Sequence, residues 1–156
     1  MSIESPFEPD FVAKLAHLFE ERISFNKVLG LHIDAVSGEQ VAAHIAMRPE
    51  LIGSYAHQRL HGGVISATLD AMGGLAVMAA IGARHLDDPI DARLARFAKL
   101  GTIDLRVDYL RPGTGPRFTA TAQVIRLGSR VASTRMEFFD AKGVLLSTGA
   151  AAYIVS

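Results

Sequence analysis

Residues 64–83, VISATLDAMGGLAVMAAIGA, carry one charge, Asp70, and apart from Ser66 and Thr68 every other position is apolar or glycine. A helix that is apolar nearly all round has no face to offer to water, so it belongs inside a fold rather than on its surface. Its longest uncharged run, 71–83, contains three glycines and falls short of the ~20 residues needed to cross a bilayer. The rest of the chain must therefore wrap this helix, and 156 residues suffice for one domain with a sizeable core.

The wrapping material reads as strand. Leu31–Val36 and the alternating run Val41, Ala43, Ile45, Met47 form two strands joined at Ser37-Gly38. After the helix, Gly101–Leu110 alternates Ile103, Leu105, Val107 and Tyr109 against Asp104, Arg106 and Asp108, and Pro112-Gly113 stops it. Phe118–Leu127, Val131–Asp140 and Val144–Val155 follow, with turns at Gly128-Ser129 and Lys142-Gly143. Before the first strand, Phe11, Leu15, Leu18 and Phe19 recur at helical spacing from Pro9 to about Arg22, giving an N-terminal helical extension over residues 1–23. Pro49–Leu60 reads as a loop. Residues 83–100 form an excursion with a short surface helix, whose apolar side is Ile90, Leu94 and Phe97. The order predicts an α+β domain: an antiparallel sheet of about six strands around one central helix.

Charge narrows the function. Sixteen basic and sixteen acidic residues leave formal net charge 0, without the basic excess of a general nucleic-acid binder. The absence of cysteine excludes disulfides, a thiolate metal site and a cysteine nucleophile, and fits a cytoplasmic setting. The N-terminus, MSIESPFEPD, is acidic where a signal peptide needs a positive region, so neither export nor membrane insertion is expected.

Two features carry chemistry. His61-Gly62-Gly63 opens the buried helix: the glycines serve close packing, or they expose backbone N–H groups that polarise a carbonyl. Asp70 sits in the middle of the same helix, where an unpaired buried carboxylate would cost several kcal/mol. It is either a working acid–base group or the partner of an arginine such as Arg106. Gly63 and Asp70 point to nearly the same side of the helix but stand ~10 Å apart along its axis. That is too far to act on one reacting carbonyl. Two antiparallel copies of the helix would bring the glycines of one chain beside Asp70 of the other, so joint action predicts a homodimer with composite sites. No HExxH or Cys/His cluster calls for a metal. Arg111, Arg126 and Arg130 lie at strand ends or turns, either solvated or placed to meet phosphates.

The run LHGGVISATLD, residues 60–70, followed by GTIDLRVDYLRPG, residues 101–113, resembles the signature of PaaI-type hotdog-fold acyl-CoA thioesterases. SFNKVLGLHI and RFTATAQVIRLGSRVA are similar to the bacterial YigI-like subgroup, and the resemblance covers about residues 24–156. It implies a single hotdog domain whose dimers often pair again into tetramers. It also implies hydrolysis of acyl-CoA to a free acid and coenzyme A, without cofactor or metal. Asp70 would be base or nucleophile, Gly62 with its neighbour Gly63 would hold the oxyanion, and His61 would position the thioester. Thr102 would orient the water, or is an ordinary residue at a strand start. Some members carry an Asn six residues before the histidine. Tyr55 stands there in this chain, with Ser54 and His57 as the polar neighbours expected to contact substrate. An apolar pocket between Val64, Met72 and the sheet, covered by the N-terminal helix and the 83–100 excursion, would suit medium or long acyl chains. The alternatives are a hotdog hydratase or dehydratase acting through His61 and Asp70, and a non-catalytic acyl-CoA binding module.

Overall fold

A computed structural model describes residues 4–156, so the first three residues of the expected N-terminal extension lie outside the described residues. Helix α1 (Pro9–His17) has Pro9 in its first turn, where the missing N–H has no intrahelical partner to lose, and buries Phe11 and Leu15. The one predicted helix to Arg22 is broken into two kinds of turn. After His17 the backbone widens into a π-helical turn (Leu18–Arg22) that keeps Phe19 buried. A further helix, α2 (Ser24–Leu29), follows and ends at Gly30, whose φ of 71° is left-handed.

Strands β1 (His32–Val36) and β2 (Gln40–Ala46) form the expected hairpin. The predicted loop 49–60 contains a 3-10 turn (Pro49–Leu51) and a small hairpin of its own, β3 (Ile52–Ser54) with β4 (Arg59–Leu60). Then come the central helix α3 (Gly62–Arg84), the short α4 (Ile90–Ala95) with a 3-10 turn (Arg96–Lys99), and four long strands. These are β5 (Gly101–Tyr109), β6 (Arg117–Leu127), β7 (Val131–Asp140) and β8 (Leu145–Ile154).

Six strands make one antiparallel sheet in the order β1-β2-β6-β7-β8-β5. The sheet wraps α3, whose Leu69, Met72 and Leu75 are fully buried in one core with Phe118, Met136 and Phe138 from the strands. Phe7, Phe11, Leu15 and Phe19 of the N-terminal segment join that same core. The helix is longer than its uncharged run suggests. It has 23 residues and a mean hydropathy of 1.8 over its most apolar stretch, enough by length and composition to cross a membrane, yet 72% of that stretch is buried inside the fold. Burial of this apolar surface is the main stabilising term for the arrangement.

The excursion after α3 is more than surface helix. Arg93 on α4 is 1% exposed, with its guanidinium 4.5 Å above the centre of the Phe11 ring and Nη2 donating to Glu8 Oε1 at 2.6 Å. A cation–π contact and an ion pair thus pin α4 to α1. Together the N-terminal segment and the excursion form one cover beside the outer strand β5.

Candidate active site

Asp70 is half-buried on α3, and its carboxylate faces hydroxyls rather than a cation. Thr102 Oγ1 donates to Oδ1 at 2.9 Å, and the Tyr153 hydroxyl lies 2.8 Å from the Asp70 backbone oxygen and 3.1 Å from Oδ1. Oδ2 has no protein partner among the described residues. The proposed ion pair with Arg106 does not form: that guanidinium sits beside Asp108, with Nη2 3.2 Å from Oδ1. Burial first, and then the charge of Asp70, push the Tyr153 phenol far above the ordinary tyrosine range, so it is a donor at any working pH.

Strict alternation along β5 would put Thr102 on the face of Asp104, away from the helix. A β-bulge intervenes, since Thr102 pairs with Tyr153 and Asp104 with the next residue, Ala152, which leaves Ile103 over. Ile103 is 57% exposed instead of sharing a face with Leu105 and Val107 as its spacing predicts. Thr102 is thereby turned onto the inner face, opposite Asp70.

Asp70 opens onto a pocket of about 380 Å³. Its apolar walls come from Phe19, Ile23 and Phe25 of the N-terminal segment, Phe97 and Leu100 of the excursion, and Leu105 of β5. The cover expected from those two segments is present, but the predicted walls are not. Met72 is fully buried in the core, and neither it nor Val64 reaches the pocket. Helix α3 instead presents its Ser66, Ala67, Asp70, Ala71 and Gly74 side, because the sheet has already claimed the face bearing Met72.

At the start of α3, His61 is the N-cap, and its Nδ1 accepts the Gly63 N–H at 2.8 Å. An accepting Nδ1 carries no proton, so the neutral ring bears its hydrogen on Nε2. Gly63 is thus not an open amide as expected; its N–H is tied to the cap. The Gly62 N–H has no acceptor among the described residues, and the Gly62 carbonyl accepts the Tyr109 hydroxyl at 2.7 Å. Gly62 lines a second cavity of about 400 Å³ with Arg59, Tyr109 and Arg111. Within one chain the free amide and the free carboxylate oxygen therefore belong to separate cavities, about 12 Å apart along α3.

The other predicted contact residues scatter. Ser54 ends β3, while Tyr55 (86% exposed) and His57 occupy the exposed tip of the β3–β4 hairpin, outside both cavities. Arg111 Nη1 donates to the Leu145 carbonyl at 2.8 Å, at the start of β8. Arg130 accepts the Val155 N–H through its own carbonyl just past the other end of that strand, and Arg126 lies nearby on β6. Ten residues of β8 separate the two ends by ~30 Å. The three arginines do not form one cluster within a chain.

Comparison with known proteins gives this geometry a family. One family model matches residues 57–147, that of the thioesterase superfamily. The chain belongs to the thioesterase superfamily. It is 36% identical over 141 residues to the medium/long-chain acyl-CoA thioesterase YigI of Escherichia coli K12, covering 90% of this chain and 91% of that protein. Identity to the Salmonella typhimurium protein of the same name is 38% over 143 residues, with the same coverage. A solved structure from Shewanella oneidensis, described as related to the thioesterase superfamily, superposes with a TM-score of 0.89 at 40% identity and covers 98% of this chain and 100% of that one. The architecture is the hotdog fold of this superfamily. The sequence resemblance singles out Asp70 and the glycines as candidates, but not Tyr153. A tyrosine at an inward position of the last strand, facing a helix whose one acidic residue is Asp70, was the signal for it.

Proposed function

We propose that this superfamily member hydrolyses medium- to long-chain acyl-CoA thioesters to the free acid and coenzyme A, in sites shared between two copies of the chain. The observation that carries the reading is the Asp70 carboxylate, held on Oδ1 by hydroxyl groups with Oδ2 open to a largely apolar pocket. Oδ2 takes a proton from water as the water oxygen bonds the thioester carbonyl carbon, and the carbonyl electron pair moves onto its oxygen. The Gly62 N–H, at the positive end of α3, holds that oxyanion. Collapse re-forms the carbonyl and breaks the C–S bond, and the departing thiolate, with a pKa near 8–9, needs little acid help. Thr102 orients Asp70, and the His61 Nε2–H serves as a donor for the thioester. The aromatic and leucine walls of the pocket suit an acyl chain, in keeping with the name of the YigI relatives.

The shared site follows from β5. Asp70 touches Thr102 at the start of this strand and Gly62 touches Tyr109 at its end, and the far edge of β5 has no strand partner among the described residues. Antiparallel pairing of two β5 edges about a two-fold axis would set the Asp70 end of each chain against the Gly62 end of the other. Exposed Ile103, Tyr109 and Leu110 on or beside β5 are the apolar surface such pairing would cover. Tyr55, Ser54, His57 and the arginines are then surface groups available to the coenzyme. The proposed setting is the cytoplasm.

The test follows thiol release from an acyl-CoA panel of rising chain length. Asp70→Asn should lose at least ~10²-fold. Gly62→Pro deletes the free amide at the first helical position, where proline is tolerated, and His61 already has the extended backbone (φ −66°, ψ 135°) that precedes proline. It should also lose ~10²-fold or more. Mixed and refolded together, the two dead variants should regain activity in about a quarter of the sites of a shared-site dimer. Full activity of Asp70→Asn refutes the base. No regain on mixing refutes the shared site, and an enoyl product without free thiol favours the dehydratase.

A further inference from the structure

The far side of Asp70 is occupied by a tyrosine that the proposed reaction does not yet use. Tyr153 lies on the inner face of β8, directly paired with Thr102, and is 1% exposed. Its hydroxyl reaches the helix only because residue 73 is glycine: a Cβ there would lie 2.1 Å from the phenolic oxygen. From that notch the hydroxyl meets both the Asp70 backbone oxygen at 2.8 Å and Oδ1 at 3.1 Å, while Thr102 closes on Oδ1 from β5 at 2.9 Å. Thr102 and the single phenol proton, which Oδ1 shares with the Asp70 backbone oxygen, thus converge on one carboxylate oxygen, and the other has no donor among the described residues.

Among the described residues no cation pairs with this carboxylate, Asp70 is the only charged side chain lining its pocket, and Tyr153 is the only other titratable one. The groups facing Asp70 from the remaining elements are neutral: Asn26 from α2, Phe19 from the π-helical turn, Phe97 and Leu100 from the excursion. The orientation of the carboxylate falls to the two hydroxyls. Threonine can rotate its hydroxyl towards other acceptors, whereas the phenol oxygen is fixed by a ring locked in the core.

We propose that Tyr153 is a positioning residue for Asp70: with Thr102 it clamps Oδ1, so that Oδ2 is held towards the pocket as the proton acceptor, and Gly73 is the gap that admits it. This rests on Asp70 being the base. Without the phenol donor Oδ1 is held by Thr102 alone, so Oδ2 is presented to the water in line less often, and the loss falls on turnover rather than on substrate binding.

The experiment compares Tyr153→Phe, Thr102→Val and Asp70→Asn in the thiol-release assay, with kcat and KM read separately. Phenylalanine keeps the ring contacts, and circular dichroism with a thermal melt confirms that the variant is folded. Tyr153→Phe should lower kcat about tenfold with KM nearly unchanged, since a hydrogen bond to a charged group is lost. Thr102→Val should lower kcat in the same way, and in the double variant the two losses should not simply add, because both groups hold one oxygen. If Asp70→Asn keeps wild-type activity, the base itself is refuted and the clamp goes with it. If Asp70→Asn is inactive while folded Tyr153→Phe keeps the wild-type kcat, or loses rate only through a raised KM, the clamp alone is overturned.

Discussion

Gly73 and Gly74 are neighbours in one helix and identical in composition, yet alanine should act on them in opposite directions. A Cβ at Gly73 would stand 2.1 Å from the Tyr153 oxygen and 2.8 Å from Cζ, against ring atoms with 1% exposure and nowhere to retreat. Restoring an ordinary 3.4 Å contact requires a shift of about 1.3 Å, which breaks the hydrogen bonds to Asp70. Overpacking of this kind costs about 1–3 kcal/mol, and a buried donor left without its charged partner costs a similar amount. Alanine returns about 1 kcal/mol through helix propensity, so the net loss centres on about 3 kcal/mol. For a chain of this length that lowers Tm by roughly 6–12 °C. At Gly74 the same Cβ meets Leu100 at 3.5 Å and Phe19 at 3.8 Å, ordinary contacts, and only the propensity gain of about 0.5–1 kcal/mol remains. Urea and thermal unfolding of both variants decide the matter. In Gly73→Ala/Tyr153→Phe the closest clashing atom is gone, so the double variant should be more stable than the two single losses add up to, by about 1 kcal/mol. If both alanines stabilise α3 alike, Tyr153 is not wedged against the helix and the clamp on Asp70 loses its physical basis.

Two further outcomes are expected. His61→Ala should cost about 1 kcal/mol of stability through the lost N-cap, and His61→Asn should restore stability without activity if the Nε2–H meets the thioester; recovery of both would reduce His61 to a cap. The Arg93 guanidinium beside Glu8 holds that carboxyl below its usual range, so the pair stabilises the fold above the unfolded-state pKa of Glu8 and the contribution is lost as pH falls through the folded-state value. Glu8→Gln should therefore flatten the acid side of a plot of Tm against pH and lower Tm at pH 7. Arg93→Met in that background should recover part of it, because Nε and Nη1 of Arg93 are already buried without partners among the described residues; an unchanged acid side would dismiss the pair.

Much of this molecule was legible in its residues because the signals are local. A helix with one charge in twenty positions must be wrapped, and four strands with clear turns at Gly128-Ser129 and Lys142-Gly143 are the obvious wrapping. The motif through His61, Gly62 and Asp70 pointed to the right superfamily, and the rise of a helix alone separated the amide from the carboxylate. What stayed hidden depends on pairs of residues that meet only after folding. Thr102 faces Asp70 because one residue, Ile103, is extruded from β5, and alternation read along the strand cannot reveal a bulge set by register against β8. The pocket beside Asp70 lies on the Gly74 side of α3 rather than at Met72 because the sheet takes the other face of the helix, a choice made by packing rather than periodicity. Arg93 reads as a charge on a surface helix until Phe11 and Glu8, more than eighty positions earlier, fold beneath it. Tyr153 and Gly73 are likewise eighty residues apart in the chain, and only the closed sheet brings phenol, glycine notch and carboxylate to one point. Burial and periodicity are properties of single segments and can be read from them; the partner of a buried polar group is a property of the assembled core.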